Sequence, residues 1–226
     1  MLALDRCILN TNNTYSKLVR MVEAKRPRLC VLGSGKGSNY LAINEAIETG
    51  VLHAEIVLVL SDVQNSGILQ HAQRLGHKAL YLYPGPKRTV LDKAQELQYV
   101  DVIKQSAADL VILAGFMRVL KSGFLREFPN RVLNIHPSLL PNFRGLRAWE
   151  QALKAGVNET GCTVHVVTEE LDAGPIVLQA TVPVLPDDTA ESLHARIQKQ
   201  EHNIYPKAIE MYWKQLNQAA EPNRCD

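Results

Sequence analysis

The sequence predicts an α/β protein, a doubly wound and mostly parallel sheet with an antiparallel portion in its C-terminal half. Short continuous apolar runs alternate with helical patterns from residue 28 onward, which is how strands covered on both faces and their crossover helices read. A glycine-rich turn separates the first such run from the first helical pattern. Residues 160–184 carry two β runs with no helix between them, which suggests that part of the sheet is antiparallel.

The elements follow in order. "RLCVLG" from Arg28 is the first strand, and "SNYLAINEAIETG" the first helix, with Ile43 and Ile47 at helical spacing and Gly50 as its stop. "AEIVLVLS" and "GILQHAQRLG" repeat the unit, "KALYLY" is a third strand, and "RTVLDKAQELQYVDVIKQS" is the longest helix of this half. "DLVILAG" and "RVLNIH" are two further buried strands flanking a short helix at "KSGFLREF". A helix at about 147–155 leads into the β runs "GCTVHVV" and "IVLQATVPV". Asp188 offers an N-cap with Glu191 three residues on, a capping box, and the final helix over about 189–216 is expected to break near Pro206. Residues 1–27, with a short basic helix at "KLVRMVEAKRPR", read as an extension; 28–216 is the main domain and 217–226 a tail.

Composition narrows the classes. With 46% hydrophobic and 21% charged residues and a formal charge of +2, the chain lacks the strongly basic surface of a nucleic-acid binder, so a bound anion needs a local site. The four cysteines, Cys7, Cys30, Cys162 and Cys225, form no C-x-x-C pair, and Cys30 and Cys162 lie in apolar strands as core residues. Asp5 interrupts the start of the chain, so no secretory signal is expected, and no apolar stretch approaches membrane length. A soluble, reducing, cytoplasmic-type compartment follows as the expectation.

Two places carry chemistry. "VLGSGKGSN" joins the first strand to the first helix, where free N–H groups and the positive dipole end suit a phosphate. It lacks the Walker Gly-Lys-Ser/Thr, and Gly33, Gly35 and Gly37 followed by Ser38 and Asn39 miss the dinucleotide spacing, although Asp62 at the end of the second strand can serve a ribose. A monophosphate is the favoured occupant. In "VLNIHPSLLP", strand alternation points Asn134 and His136 the same way, at the sheet end where open α/β folds bind ligands.

Asp172, in "TEELDAGP", precedes a Gly-Pro turn and can reach His136 from a neighbouring loop. A carboxylate beside an imidazole favours and orients its charged form, and an amide beside both can hold a developing oxyanion. These three make an acyl-transfer site with no nucleophile of its own, since G-x-S-x-G is missing around Ser138. A metal held by His136, Asp172 and His165 is the competing reading, disfavoured because His165 lies in an alternating strand with no helical partner ligand. His53, His71, His77, His194 and His202 read as ordinary helix-face or loop residues.

"GKGSN", "LAGFMRVL", "LNIHPSLLP", "EELDAGP" and "QEHNIYP", in that order, closely resemble the phosphoribosylglycinamide formyltransferases over about residues 28–214. The resemblance implies the formyltransferase fold and transfer of a formyl group from 10-formyltetrahydrofolate to the amine of glycinamide ribonucleotide in purine synthesis. It implies catalysis by Asn134, His136 and Asp172, with Gly37, Ser38 and Asn39 on the substrate phosphate and Gln198 and Glu201 at its ribose or amine. Met117, Arg118, Val119, Leu120 and the loop Thr168, Glu169, Glu170, Leu171 are expected to line the folate pocket, and Arg88 to match a further folate-contacting arginine in a loop of different length. No metal, no tightly bound cofactor, no nucleic acid and no membrane partner are implied.

Trp149 stands near a position where family members often carry histidine, and Ala173 replaces a glycine found in some relatives. The related methionyl-tRNA formyltransferases carry a tRNA domain after this one, and the formyltetrahydrofolate deformylases a regulatory domain before it. A deformylase, a nucleotide sensor and a nicotinamide-dependent oxidoreductase are the rival readings.

Overall fold

The computed structural model describes residues 25–220; the expected basic helix before Arg28 lies mostly outside them, as do Cys7 and Cys225. Seven strands form one sheet in the order β3-β2-β1-β4-β5-β6-β7. They are β1 (Arg28–Leu32), β2 (Glu55–Ser61), β3 (Ala79–Tyr81), β4 (Leu110–Leu113), β5 (Val132–His136), β6 (Glu159–Val166) and β7 (Ile176–Pro183). The first five are mutually parallel, while β5–β6 and β6–β7 are antiparallel. The helices are α1 (Ser38–Glu48), α2 (Gly67–Arg74), α3 (Lys93–Gln105), α4 (Ser122–Glu127), α5 (Ala148–Ala155) and α6 (Ala190–Ala220).

The period-2 alternation of the strands distributes the core to both faces of the sheet. Leu29, Val31, Leu110, Ile112, Leu133 and Ile135 pack with α1, α2 and α6 on one face. Cys30, Leu32, Val111, Leu113 and Val132 pack with Tyr99 and Ile103 of α3 and Phe124 of α4 on the other. The chain moves from β1 outward to β2 and β3, then returns to place β4 on the opposite side of β1. The crevice at that reversal, outside the carboxyl ends of β1 and β4, is where such sheets bind ligands.

Several sequence expectations are corrected. β3 is confined to Ala79–Tyr81, shorter than "KALYLY" suggests. The third helix starts at Lys93, with Asp92 as N-cap, because "RTVL" is drawn aside to bridge the segment after β4: Val90 pairs with Val119, and the Val119 N–H donates to the Thr89 carbonyl at 2.8 Å. The capping box lies one residue later, with Ser192 N–H donating to Thr189 Oγ1 at 3.2 Å and Thr189 N–H to Ser192 Oγ at 3.0 Å. Asp188 is diverted from capping because its carboxylate holds Arg196 in a fork at 2.6 and 2.8 Å and the Leu185 N–H at 2.8 Å.

Nor does the last helix break at Pro206; α6 runs through it to Ala220. Ile204 and Tyr205 before the proline, and Ala208 and Ile209 after it, are all buried against the sheet. The Tyr205 hydroxyl lies 3.0 Å from the Leu113 carbonyl and 3.1 Å from that of Leu133. This packing on both sides outweighs the lost backbone bond. Among the described residues no helix is long and apolar enough to cross a membrane.

Candidate active site

The loop after β1 is shaped first by packing. A Cβ on Gly33 would stand 2.8 Å from the Ala114 carbonyl oxygen, and one on Gly37, at φ 81°, 2.8 Å from Ile68 Cα. Glycine is therefore required at both positions whether or not a ligand binds. Gly37 caps α1 with no side-chain cap, so the first-turn N–H groups lack partners within the helix.

Two side chains of α6 close over this turn: Gln198 Nε2 donates to Ser38 Oγ at 2.9 Å, and Asn39 Nδ2 donates to Glu201 Oε2 at 2.9 Å. Burial pushes the Glu201 carboxyl above its ordinary value, against the opposing pull of Asn39. Asn39 Oδ1 is buried beside it with no partner. Gly37, Ser38, Asn39, Gln198 and Glu201 are thus brought together as one cluster.

The end of β5 makes the second cluster. His136 is 5% exposed and Asp172 9%. His136 Nε2 lies 2.9 Å from the Phe143 carbonyl, and Nδ1 3.4 Å from Asp172 Oδ2, which also accepts the Gly145 N–H at 2.9 Å. A carbonyl oxygen can only accept, so Nε2 carries a proton, and the Asp172 carboxylate stands on the Nδ1 side of the ring. Asp172 sits in the left-handed region at φ 49°, a conformation that aspartate tolerates better than most residues. Asn134 has the parity of His136 on β5, as anticipated.

His165 belongs to this cluster too. It pairs with Asn134 across the antiparallel ladder, and its Nε2 lies 3.2 Å from Asn134 Nδ2 and 3.8 Å from Asp172 Oδ1. Burial lowers the pKa of His165, outweighing its Val166 hydrogen bond and the Asp172 charge. With Nδ1–H donating to the Val166 carbonyl at 3.1 Å, Nε2 is left as the acceptor that fixes the Asn134 amide. The signal available in sequence was parity, since Thr163 and His165 are the polar alternates of β6.

The segment after β4 joins the clusters: the Met117 N–H donates to Ser34 Oγ at 2.8 Å. Met117 and Val119 are exposed at its surface, whereas Leu120 is buried. The Arg118 side chain turns away to Asp62 Oδ2, at 2.7 Å, and to the Lys87 carbonyl, while Asp62 Oδ1 is buried without a partner among the described residues, so neither oxygen is open to a ribose. Arg88 is exposed next to Thr89, whose carbonyl bonds Val119, which sets it beside Met117–Leu120. In the 168–172 loop, Thr168 Oγ1 donates to the Glu170 carbonyl at 3.2 Å and Glu170 pairs with Arg144 at 2.6 Å, while Glu169 and Leu171 are exposed. Ser138 Oγ donates to the Asn142 carbonyl at 2.5 Å, so it is committed to the turn.

Residues 27–209 match the family model described as formyl transferase. The chain is 39% identical over 82% of its length to phosphoribosylglycinamide formyltransferase of Haemophilus influenzae, spanning 86% of that protein. It is 41% identical over 90% of its length to the trifunctional purine biosynthetic protein adenosine-3 of Drosophila melanogaster, of which it spans only 15%. The structure of glycinamide ribonucleotide transformylase 1 from Symbiobacterium toebii superposes with a TM-score of 0.81 at 44% identity, covering 85% of this chain and 90% of that one. With residues 27–209 matched, a span that runs from the strand before the glycine turn into α6, the chain belongs to the formyl transferase family, among the phosphoribosylglycinamide formyltransferases.

Proposed function

We propose that the protein transfers the formyl group of 10-formyltetrahydrofolate to the amine of glycinamide ribonucleotide. The observation that carries this reading is the enclosure of His136 between the Phe143 carbonyl and Asp172, with Asn134 alongside, at the same sheet end as the α1 N-terminus.

The chain's own residues divide the work. Gly37, Ser38 and Asn39 hold the substrate phosphate, with the first-turn N–H groups of α1 as donors. Gln198 and Glu201 place the ribose and amine, and the unpartnered Asn39 Oδ1 is a further acceptor there. Met117, Val119 and Leu171 offer apolar surface to the folate; Arg88 and the 168–170 loop border it, while Arg118 and Leu120 act as supports for the segment.

The amine lone pair forms the new C–N bond at the formyl carbon, and the carbonyl electrons move to oxygen. The free Asn134 N–H and the His136 Nε2–H, drawn from the Phe143 carbonyl, stabilise that oxyanion. Collapse breaks the bond to the folate nitrogen, which takes the proton the amine has lost. Asp172 holds His136 in place throughout and assists that transfer. Ser138 is committed to its turn, so attack by the substrate amine itself accounts for the step without a covalent enzyme intermediate.

A co-substrate folate with no tightly bound cofactor, no nucleic-acid or membrane partner, and a cytoplasmic setting belong to the same proposal; the direct transfer supports the first and the formal charge of +2 the lack of a nucleic-acid partner. The test follows cleavage of 10-formyltetrahydrofolate by absorbance with and without the nucleotide. Turnover is expected only with it, and His136→Ala and Asp172→Asn are expected to lower kcat by about 10²- to 10⁴-fold without loss of folding. Cleavage that ignores the nucleotide would instead make the protein a deformylase.

A further inference from the structure

The loop and α6 meet in a register that extends one turn beyond Gln198. His194, Gln198 and Glu201 stand at i, i+4 and i+7, on one face of the helix. Gln198 meets Ser38 and Glu201 meets Asn39. His194 is the next residue up that face, and Lys36 stands two residues before Ser38 in the loop.

The imidazole is held on its other side. Trp149 of α5 stacks on His194 with ring centroids 3.8 Å apart and planes 10° from parallel, and both rings are half-buried. A stack this close fixes the ring plane, leaving the nitrogens at its edge as the groups that can reach a ligand. We propose that His194, clamped by Trp149, is a phosphate-binding residue for the nucleotide substrate and with Lys36 forms a cationic rim on the Gly37–Asn39 turn. This rests on the formyl-transfer reading for the identity of the ligand.

The charge pattern is in keeping with it. Burial, and then the Lys36 cation, hold the His194 imidazole below its ordinary value. A phosphate dianion at the turn would offset that repulsion and favour the charged ring. The bland alternative is that the stack only ties α5 to α6, which together pack on the sheet.

The experiment separates these. Steady-state kinetics are measured for the wild type, His194→Phe, which keeps an aromatic stack but has no N–H, and His194→Ala, using glycinamide ribonucleotide and the same molecule lacking its phosphate. Both variants are expected to raise KM for the nucleotide by about 10- to 100-fold, the effect of losing one hydrogen bond to a charged group, with kcat within about twofold. Neither should change KM for the phosphate-free analogue. A wild-type KM in His194→Phe, or an equal penalty with the analogue, would overturn the proposal and leave His194 a packing residue.

Calorimetric titration of the nucleotide into the same proteins reads the contact without chemistry. A wild type that binds the nucleotide but does not turn over would count against formyl transfer, while binding weakened tenfold or more in His194→Phe would still support the contact. Equal binding by wild type and variant, or none by the wild type, would overturn it.

Discussion

His165 faces Asn134 across the β5–β6 ladder with its Nδ1 proton given to the Val166 carbonyl, so the ring offers the amide only a lone pair. One Asn134 N–H is thereby fixed and the other aimed into the site. His165→Leu is expected to lower kcat by about 10- to 100-fold, short of or equal to the loss of an oxyanion donor, with KM for both substrates changed less than about threefold. His165→Gln, which restores an acceptor, should recover part of that loss; full activity in the leucine variant would remove His165 from the mechanism. That Asn134, His136 and Asp172 lie together was legible in the sequence because strand alternation and a loop carboxylate are local patterns. His165 was not, because its role depends on which residue of β6 falls opposite Asn134, and that register is fixed only when the sheet forms. His194 reads in the sequence as an ordinary helix residue, since its stacking partner Trp149 comes from another element.

At the scale of elements, the buried alternating strands and their crossovers were readable because burial on both faces leaves an apolar signature that needs no partner to be seen. Helix boundaries were less so. Pro206 argued for a break, yet α6 continues because Tyr205 anchors it to the carbonyls of two strands. Tyr205→Phe removes that anchor and is expected to destabilise the fold by about 1 kcal/mol, a fall in Tm of about 2–4 °C. An unchanged Tm would show that the helix is held by apolar packing alone.

The start of α6 makes a pH-dependent contribution. Hydrogen bonds from Arg196, Ser192 and the Leu185 N–H hold the Asp188 carboxyl well below the usual carboxylate range. A depressed folded-state value stabilises the fold above the unfolded-state pKa, near 4, and that stabilisation is lost as pH falls toward the folded-state value. The Tm gap between wild type and Asp188→Asn should be widest near neutral pH and close progressively below about pH 4. A gap that does not vary with pH would mean that the contact owes nothing to charge.

At the scale of the whole molecule, the site exists only where distant parts of the chain meet. Ser38 and Gln198 are 160 residues apart, and Asn39 and Glu201 162. The Gly37–Asn39 turn comes from β1 and α1, the Asn134–His136–Asp172 cluster from β5 and the loop before β7, His165 from β6, and the cover from α6. The sheet order that sets β1, β4 and β5 side by side is what brings the Gly37–Asn39 turn and His136 to one crevice. The most direct test traces the formyl carbon. The protein is mixed with glycinamide ribonucleotide and 10-formyltetrahydrofolate carrying ¹³C in the formyl group, and the products are followed by ¹³C NMR and protein mass spectrometry. The label should pass to the formamide of the nucleotide, with no labelled formate and no labelled protein. Labelled formate released without the nucleotide, or a formyl group found on the protein, would contradict direct transfer.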